Sequence, residues 1–227
     1  MPDQNLQSSI AESATLVASR YGTAIVSQGL VSGFHFILNL ILVRGLSTEG
    51  FGNYALIFVV AILFSSVVNS LAATPLGVYA PGSKTVSEKK VYESTFNTLM
   101  IYLLLTIFFI GLLVLFFFTP NGSFIPSILN MLFVLFFGAR QYSRSLGYSI
   151  FDVKSVLYAD VLYVFSGSIF VTIAMLLEQD QSTTMILGGL AIANFLAISC
   201  EVYRFDININ IQPLTELRAN YRVIWEK

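Results

Sequence analysis

Residues 22–43 read GTAIVSQGLVSGFHFILNLILV, twenty-two positions without a single Asp, Glu, Lys or Arg. About 20 mainly apolar residues are what a helix needs to cross the hydrocarbon core of a bilayer. The stretch therefore reads as a membrane span, and the pattern recurs along the chain. Of the 227 residues, 56% are hydrophobic and 11% charged, against roughly 25% charged in an ordinary soluble domain. Hydropathy, with turns and charges as borders, predicts spans over residues 22–43, 54–79, 95–118, 124–142, 156–177 and 184–203. Pro81-Gly82-Ser83-Lys84 stops the second helix, and Thr119-Pro120-Asn121-Gly122 makes a hairpin of the third and fourth. Glu178-Gln179-Asp180-Gln181 does the same for the fifth and sixth. The expected fold is an all-α integral membrane bundle of six helices in three consecutive hairpin-like pairs. It spans residues 21–204, with a short cytoplasmic segment, 1–20, before it and a cytoplasmic tail or linker, 205–227, after it.

Charge placement predicts orientation, because Lys and Arg in short loops stay on the cytoplasmic side. Arg20, Lys84, Lys89, Lys90, Arg140, Arg144, Lys154, Arg204, Arg218, Arg222 and Lys227 fall on the side of the N-terminus, and only Arg44 on the other. Both termini are therefore expected in the cytoplasm. The first 20 residues are polar and carry Asp3 and Glu12, so no cleavable signal peptide is expected. A net charge of -1 gives no basic field for nucleic acid. The lone cysteine, Cys200, excludes an internal disulfide and a Cys-based metal cluster.

Polar groups inside apolar helices are costly and mark the face that avoids lipid. On the first helix Gln28, Ser32, His35 and Asn39 are spaced four, three and four apart, one stripe at 100° per residue. The stripe reads either as interhelical hydrogen bonding or as the wall of a solvated cavity. On another face Gly29 and Gly33 form a G-x-x-x-G pair that lets a neighbouring helix approach. Ser65, Ser66, Asn69 and Ser70 place a second polar patch on the second helix, so the first two helices are expected to share a polar seam. Asp160, about a turn inside the fifth span, needs a cation such as Lys154, Arg140 or Arg144, unless the span border lies a turn later. Asp152, Glu201 and Asp206 read as solvated interfacial acids.

The segment Gly138–Ser155 reads as a cytoplasmic loop, with Arg140, Arg144 and Lys154 among Tyr142, Tyr148 and Tyr158. It either holds an anionic headgroup, for which guanidinium forks are suited, or only obeys the positive-inside rule. The same choice applies to Lys84, Lys89 and Lys90 against anionic lipid. Arg44 stands where that rule disfavours it, so Glu49 or a ligand phosphate should hold it. No catalytic pair, phosphate-cradling glycine loop or H-E-x-x-H is present, so neither an enzyme nor a cofactor is expected. Asn121-Gly122-Ser123 fits the N-glycosylation pattern, a three-residue match of little weight.

From Tyr21 to Pro81 the chain resembles the opening of bacterial polysaccharide flippases, the Wzx-like exporters of the multidrug/oligosaccharidyl-lipid/polysaccharide superfamily. The resemblance is carried by Leu42-Val43-Arg44-Gly45-Leu46-Ser47-Thr48-Glu49-Gly50-Phe51-Gly52-Asn53-Tyr54-Ala55 between the first two helices. Pro75 near the end of the second helix fits too, as does Arg140 to Arg144 followed by a helix opening near Asp160. The resemblance implies transport of an undecaprenyl-diphosphate-linked oligosaccharide across the bacterial inner membrane, in O-antigen, exopolysaccharide or lipopolysaccharide synthesis. It makes Arg44, by its match to the motif arginine, the first candidate for the diphosphate, with His35, Gln28 and Asn39 lining the path for sugar hydroxyls. Asn69, Arg140, Arg144 and Asp160 complete the candidate set. Such exporters look like two six-helix lobes, so this chain is expected to be a truncated or half-length form that pairs with itself or with a separate half. Two other readings stay open: a non-transporting subunit of a glycan assembly complex, and an exporter of small solutes or drugs, for which the cavity should carry acids rather than Arg.

Overall fold

The computed structural model describes residues 2–118, 124–149, 152–177, 182–205 and 211–225. Among them there is no strand; the elements are α1 (Pro2–Gly45), α2 (Thr48–Val68), a π-helical turn (Asn69–Ala73), α3 (Thr74–Tyr79), α4 (Val86–Phe118), α5 (Phe124–Ser149), α6 (Val153–Leu177), α7 (Ser182–Phe205) and α8 (Leu214–Trp225). Six stretches are long and apolar enough to cross a membrane: Val17–Gly45, Thr48–Tyr79, Val86–Leu115, Phe124–Ser149, Val153–Leu177 and Thr183–Arg204. The chain is an all-α membrane bundle. The turns expected at 119–122 and 178–181, the Asn121-Gly122-Ser123 match and Asp206 lie outside the described residues.

Local chemistry sets the helix ends. Ser47 caps α2, its hydroxyl accepting from the Gly50 amide at 3.1 Å. Thr85 and Glu88 form a capping box before α4: the Glu88 amide donates to Thr85 Oγ1 at 3.1 Å, and Glu88 Oε2 accepts from the Lys84 amide at 3.0 Å. Asp152 is a half-buried cap and not a freely solvated acid, accepting from the Ser155 amide at 3.3 Å at the start of α6. Pro75 would clash with the carbonyl four residues earlier in a regular helix. The π turn just before it widens the backbone there, and the helical stretch continues to Tyr79.

Helices α6 and α7 form the most extensive contact, α5 packs on α7, α2 and α4, and α1 lies along α6. Leu38, Leu42, Tyr54, Phe133, Phe137 and Leu187 lead the main buried cluster. A second cluster joins the π turn and α3 to α4, α5 and α8 through Leu76, Phe96, Tyr142 and Ile224. Small residues set the closest approach: a Cβ on Gly138 would come within 2.8 Å of Leu104. Large apolar side chains elsewhere point outward, among them Phe36, Ile37, Phe109 and Leu176, as lipid-facing positions do.

Several expectations change. The polar seam does not join α1 to α2, which touch little. Ser65 and Ser66 donate back to the Ile62 carbonyl at 2.9 and 2.8 Å, so they need no partner helix. Gly29 and Gly33 meet nothing within 4 Å of an added Cβ, and among the described residues no helix crosses there. The buried face of α1 is instead Ser27, Val31, Leu38 and Leu42, toward α6 and the core. The segment 138–149 is not a loop but the last three turns of α5. The helix that carries the third span, α4, begins at Val86, nine residues ahead of the apolar run at 95–118. In both cases charges taken as borders are accommodated by the helix itself. Residues 211–225, expected as part of a tail or linker, pack on the bundle. The Gln212 amide donates to Thr98 Oγ1 at 3.1 Å, Tyr102 donates to the Gln212 carbonyl at 3.2 Å, and α8 lies on α4 with Leu217 and Ile224 buried.

Candidate functional site

Arg140 and Arg144 are one turn apart on α5, on the same face. Only a short connection separates α5 from α6, so Asp160, about two turns into α6, returns to the level of Arg144, about one and a half turns before the end of α5. Asp160 is fully buried and forms the centre of the cluster. Arg140 Nη2 donates to Asp160 Oδ1 at 2.5 Å and Arg144 Nη2 to Oδ2 at 3.1 Å. Arg144 Nε lies 3.0 Å from Oδ1, close enough for charge attraction but not aligned for a hydrogen bond. Ser27, from α1, donates to Oδ2 as well. The interior reading of Asp160 therefore holds, and of the three cations expected near it Arg140 and Arg144 are present while Lys154 is exposed. The Arg140 guanidinium also lies over the Tyr163 ring, 3.8 Å from its centroid.

Arg144 carries the cluster to a cavity. Its Nη2 donates to Gln28 Oε1 at 3.1 Å and approaches Tyr148 Oη at 3.4 Å; Nη1 reaches Gln141 Oε1 at 3.3 Å. Tyr148 in turn shares a hydrogen bond with Ser27 at 3.1 Å. The cavity, about 410 Å³, lies between α1, α2 and α5. Its polar wall is Gln28, Ser32, His35, Gln141, Arg144, Ser145 and Tyr148, and Phe58 and Phe137 close its apolar side. Among the described residues no Asp or Glu lines it. Three of the four stripe residues on α1 thus converge on one space. The fourth, Asn39, donates to the His35 carbonyl of its own helix at 2.9 Å and is absent from the wall. His35 is set among the rings of Phe34, Phe58, Phe137 and Tyr163, with Nε2 3.4 Å from the Tyr163 hydroxyl.

Asn69, in the π turn, meets the far side of the same wall: Ser145 donates to its Oδ1 at 3.5 Å, a weak bond. Arg44 does not join the cluster. It is exposed at the C-terminal end of α1 and among the described residues makes no ion pair with Glu49. The sixteen residues from Gln28 put it about 24 Å further along the helix, at 1.5 Å per residue.

Glu201 was misread from sequence as a solvated acid. It is fully buried on α7, near Ser143 and Arg140, and neither carboxyl oxygen has a hydrogen-bond partner of normal geometry. The two guanidinium groups thus share one ion-paired acid, Asp160, and Arg140 has a second acid, Glu201, near it that among the described residues is in no ion pair. Among the described residues no group of three or more His, Cys, Asp and Glu side chains could hold a metal. Set against family models, curated proteins and solved structures, the chain matches none.

Proposed function

We propose that the chain moves a lipid-linked anionic oligosaccharide, of the undecaprenyl-diphosphate class, across the bacterial cytoplasmic membrane, with both termini on the cytoplasmic side. The reading is carried by one observation: between helices long and apolar enough to span a membrane, a polar cavity presents a guanidinium, Arg144, and among the described residues no acid. A diphosphate that leaves water needs a replacement for its hydration, and a planar guanidinium supplies paired donors. Asp160 holds Arg144 in place while taking up part of its charge, so the group attracts an anion without binding it irreversibly. Gln28, Ser32 and Gln141 offer sugar hydroxyls their hydrogen bonds. Arg44, at the other end of α1, receives the diphosphate on the far side. The resemblance in residues 42–55 gives the substrate class, and that part is an argument by analogy. Burial of Arg140 and Arg144 removes them from the orientation argument, but the remaining loop cations keep the same bias toward the N-terminal side. A second lobe, another copy or a separate chain, supplies the opposite wall of the path.

A scaffold subunit is the second reading, favoured by the depth at which the Arg140–Asp160 pair is buried, since such pairs also act as structural fixtures. A carrier of cationic drugs fits less well because the wall lacks an acid. Labelling of a Ser32→Cys variant, in a Cys200→Ser background, separates the readings. Reaction with a water-soluble maleimide, slowed by added undecaprenyl-diphosphate oligosaccharide, supports transport. An unreactive Cys at position 32, or one that reacts at the same rate with and without the glycolipid, contradicts it.

A further inference from the structure

We propose that the groove between the start of α4 and α8 binds the headgroup of an ethanolamine phospholipid. Ser87, Lys90, Val91 and Ser94 recur three and four apart on α4, which sets them on one helix face. Opposite them stand Gln212 and Glu216, the latter in the first turn of α8. Together with Val86 they enclose about 510 Å³. The groove therefore has a cation on one wall and an anion on the other. Lys90 and Glu216 are exposed and, among the described residues, neither is in an ion pair, whereas the neighbouring Lys89 is occupied by Glu93 at 3.7 Å.

The position selects a lipid over a water-soluble ligand. Val86 opens the helix that carries the third apolar span, and the charged first turns before that apolar run set the groove at the water boundary of the proposed membrane. Apolar side chains exposed around it, Val86 at 73%, Ile211 at 55% and Leu214 at 66%, suit the upper acyl region and not water. The walls are held in place: Gln212 is fixed to Thr98 and Tyr102, and α8 is anchored by Leu217 and Ile224. Charge complementarity selects the headgroup. Lys90, with the Ser87 hydroxyl, meets a phosphodiester, and the Glu216 carboxylate accepts hydrogen bonds from a primary ammonium. A choline headgroup has no N–H to donate, and a glycerol headgroup has no positive charge to meet Glu216. The inference needs only that the chain resides in a membrane and is independent of the transport reading.

The test uses the full chain in detergent, mixed with equal amounts of phosphatidylethanolamine, phosphatidylglycerol and phosphatidylcholine, with retained lipid read by native mass spectrometry. The ethanolamine lipid should be retained about threefold over the other two, the effect of one solvent-accessible ion pair. Glu216→Gln should abolish that preference, and Lys90→Gln should lower retention of all three lipids. Both side chains are exposed, and unchanged unfolding temperatures confirm intact folds. Equal retention of the three lipids, a preference for phosphatidylglycerol, or a preference that survives Glu216→Gln overturns the proposal. Displacement of the lipid by equimolar glycerophosphoethanolamine places the ligand in water and overturns it as well.

Discussion

Asp160 is the residue on which the cluster depends. An acid in an apolar run demands a cation, and two arginines one turn apart across a short connection are the nearest source, so this part of the site was legible in the sequence. The pairing makes an asymmetric prediction. Asp160→Asn removes the carboxylate that pairs with both buried guanidinium groups, leaving only Glu201 nearby, and should destabilise the chain by about 3 to 5 kcal/mol. Arg144→Gln leaves the Arg140–Asp160 pair intact and should cost far less. Thermal unfolding in a single detergent, comparing the two variants, checks the order. Glu201 was not legible, because it stands three residues before Arg204 at the end of an apolar run and hydropathy alone places it at the water border. What buries it is α5, and no local pattern on α7 announces that neighbour.

At the scale of elements, six apolar runs were readable because bilayer thickness fixes their length. The ends of two of them were not. Helix α5 carries Arg140 and Arg144 inside, and α4 starts a full nine residues earlier than its apolar run, behind the Thr85–Glu88 box. Thr85→Ala should therefore cost about 1 kcal/mol, the usual worth of an N-cap, and hydrogen exchange should quicken over the first turn of α4 and not elsewhere. The amphipathic α8 was read as tail because its apolar positions are few. Leu217 is 5% exposed, so Leu217→Asp should detach α8 while the six spans persist. Rapid exchange over residues 211–225 with an unchanged bundle is the expected outcome; global unfolding would show that α8 is part of the core.

For the whole molecule, an even number of spans returns the chain to the side from which it starts, and the orientation proposed above puts that side in the cytoplasm. Single cysteines in a Cys200→Ser background test this in intact cells: position 84 should be shielded from an impermeant maleimide and position 49 reactive. The cavity was half legible. The stripe on α1 pointed to a polar space, yet its hydrogen-bond partner proved to be Arg144 of α5, with α2 closing the space by apolar side chains, since side-chain periodicity names a face but not the helix that meets it. The central claim is that Arg144, at the wall of that space, assists an anionic glycolipid across the bilayer. Its most direct measurement is the rate at which fluorescent undecaprenyl-diphosphate oligosaccharide moves between leaflets of liposomes that contain the purified full chain, read by an impermeant quencher. The account predicts protein-dependent movement, reduced at least about tenfold by Arg144→Gln, equivalent to 1.4 kcal/mol of lost stabilisation at the barrier. Movement no faster than in empty liposomes, or equal rates for the wild type and Arg144→Gln, would contradict it.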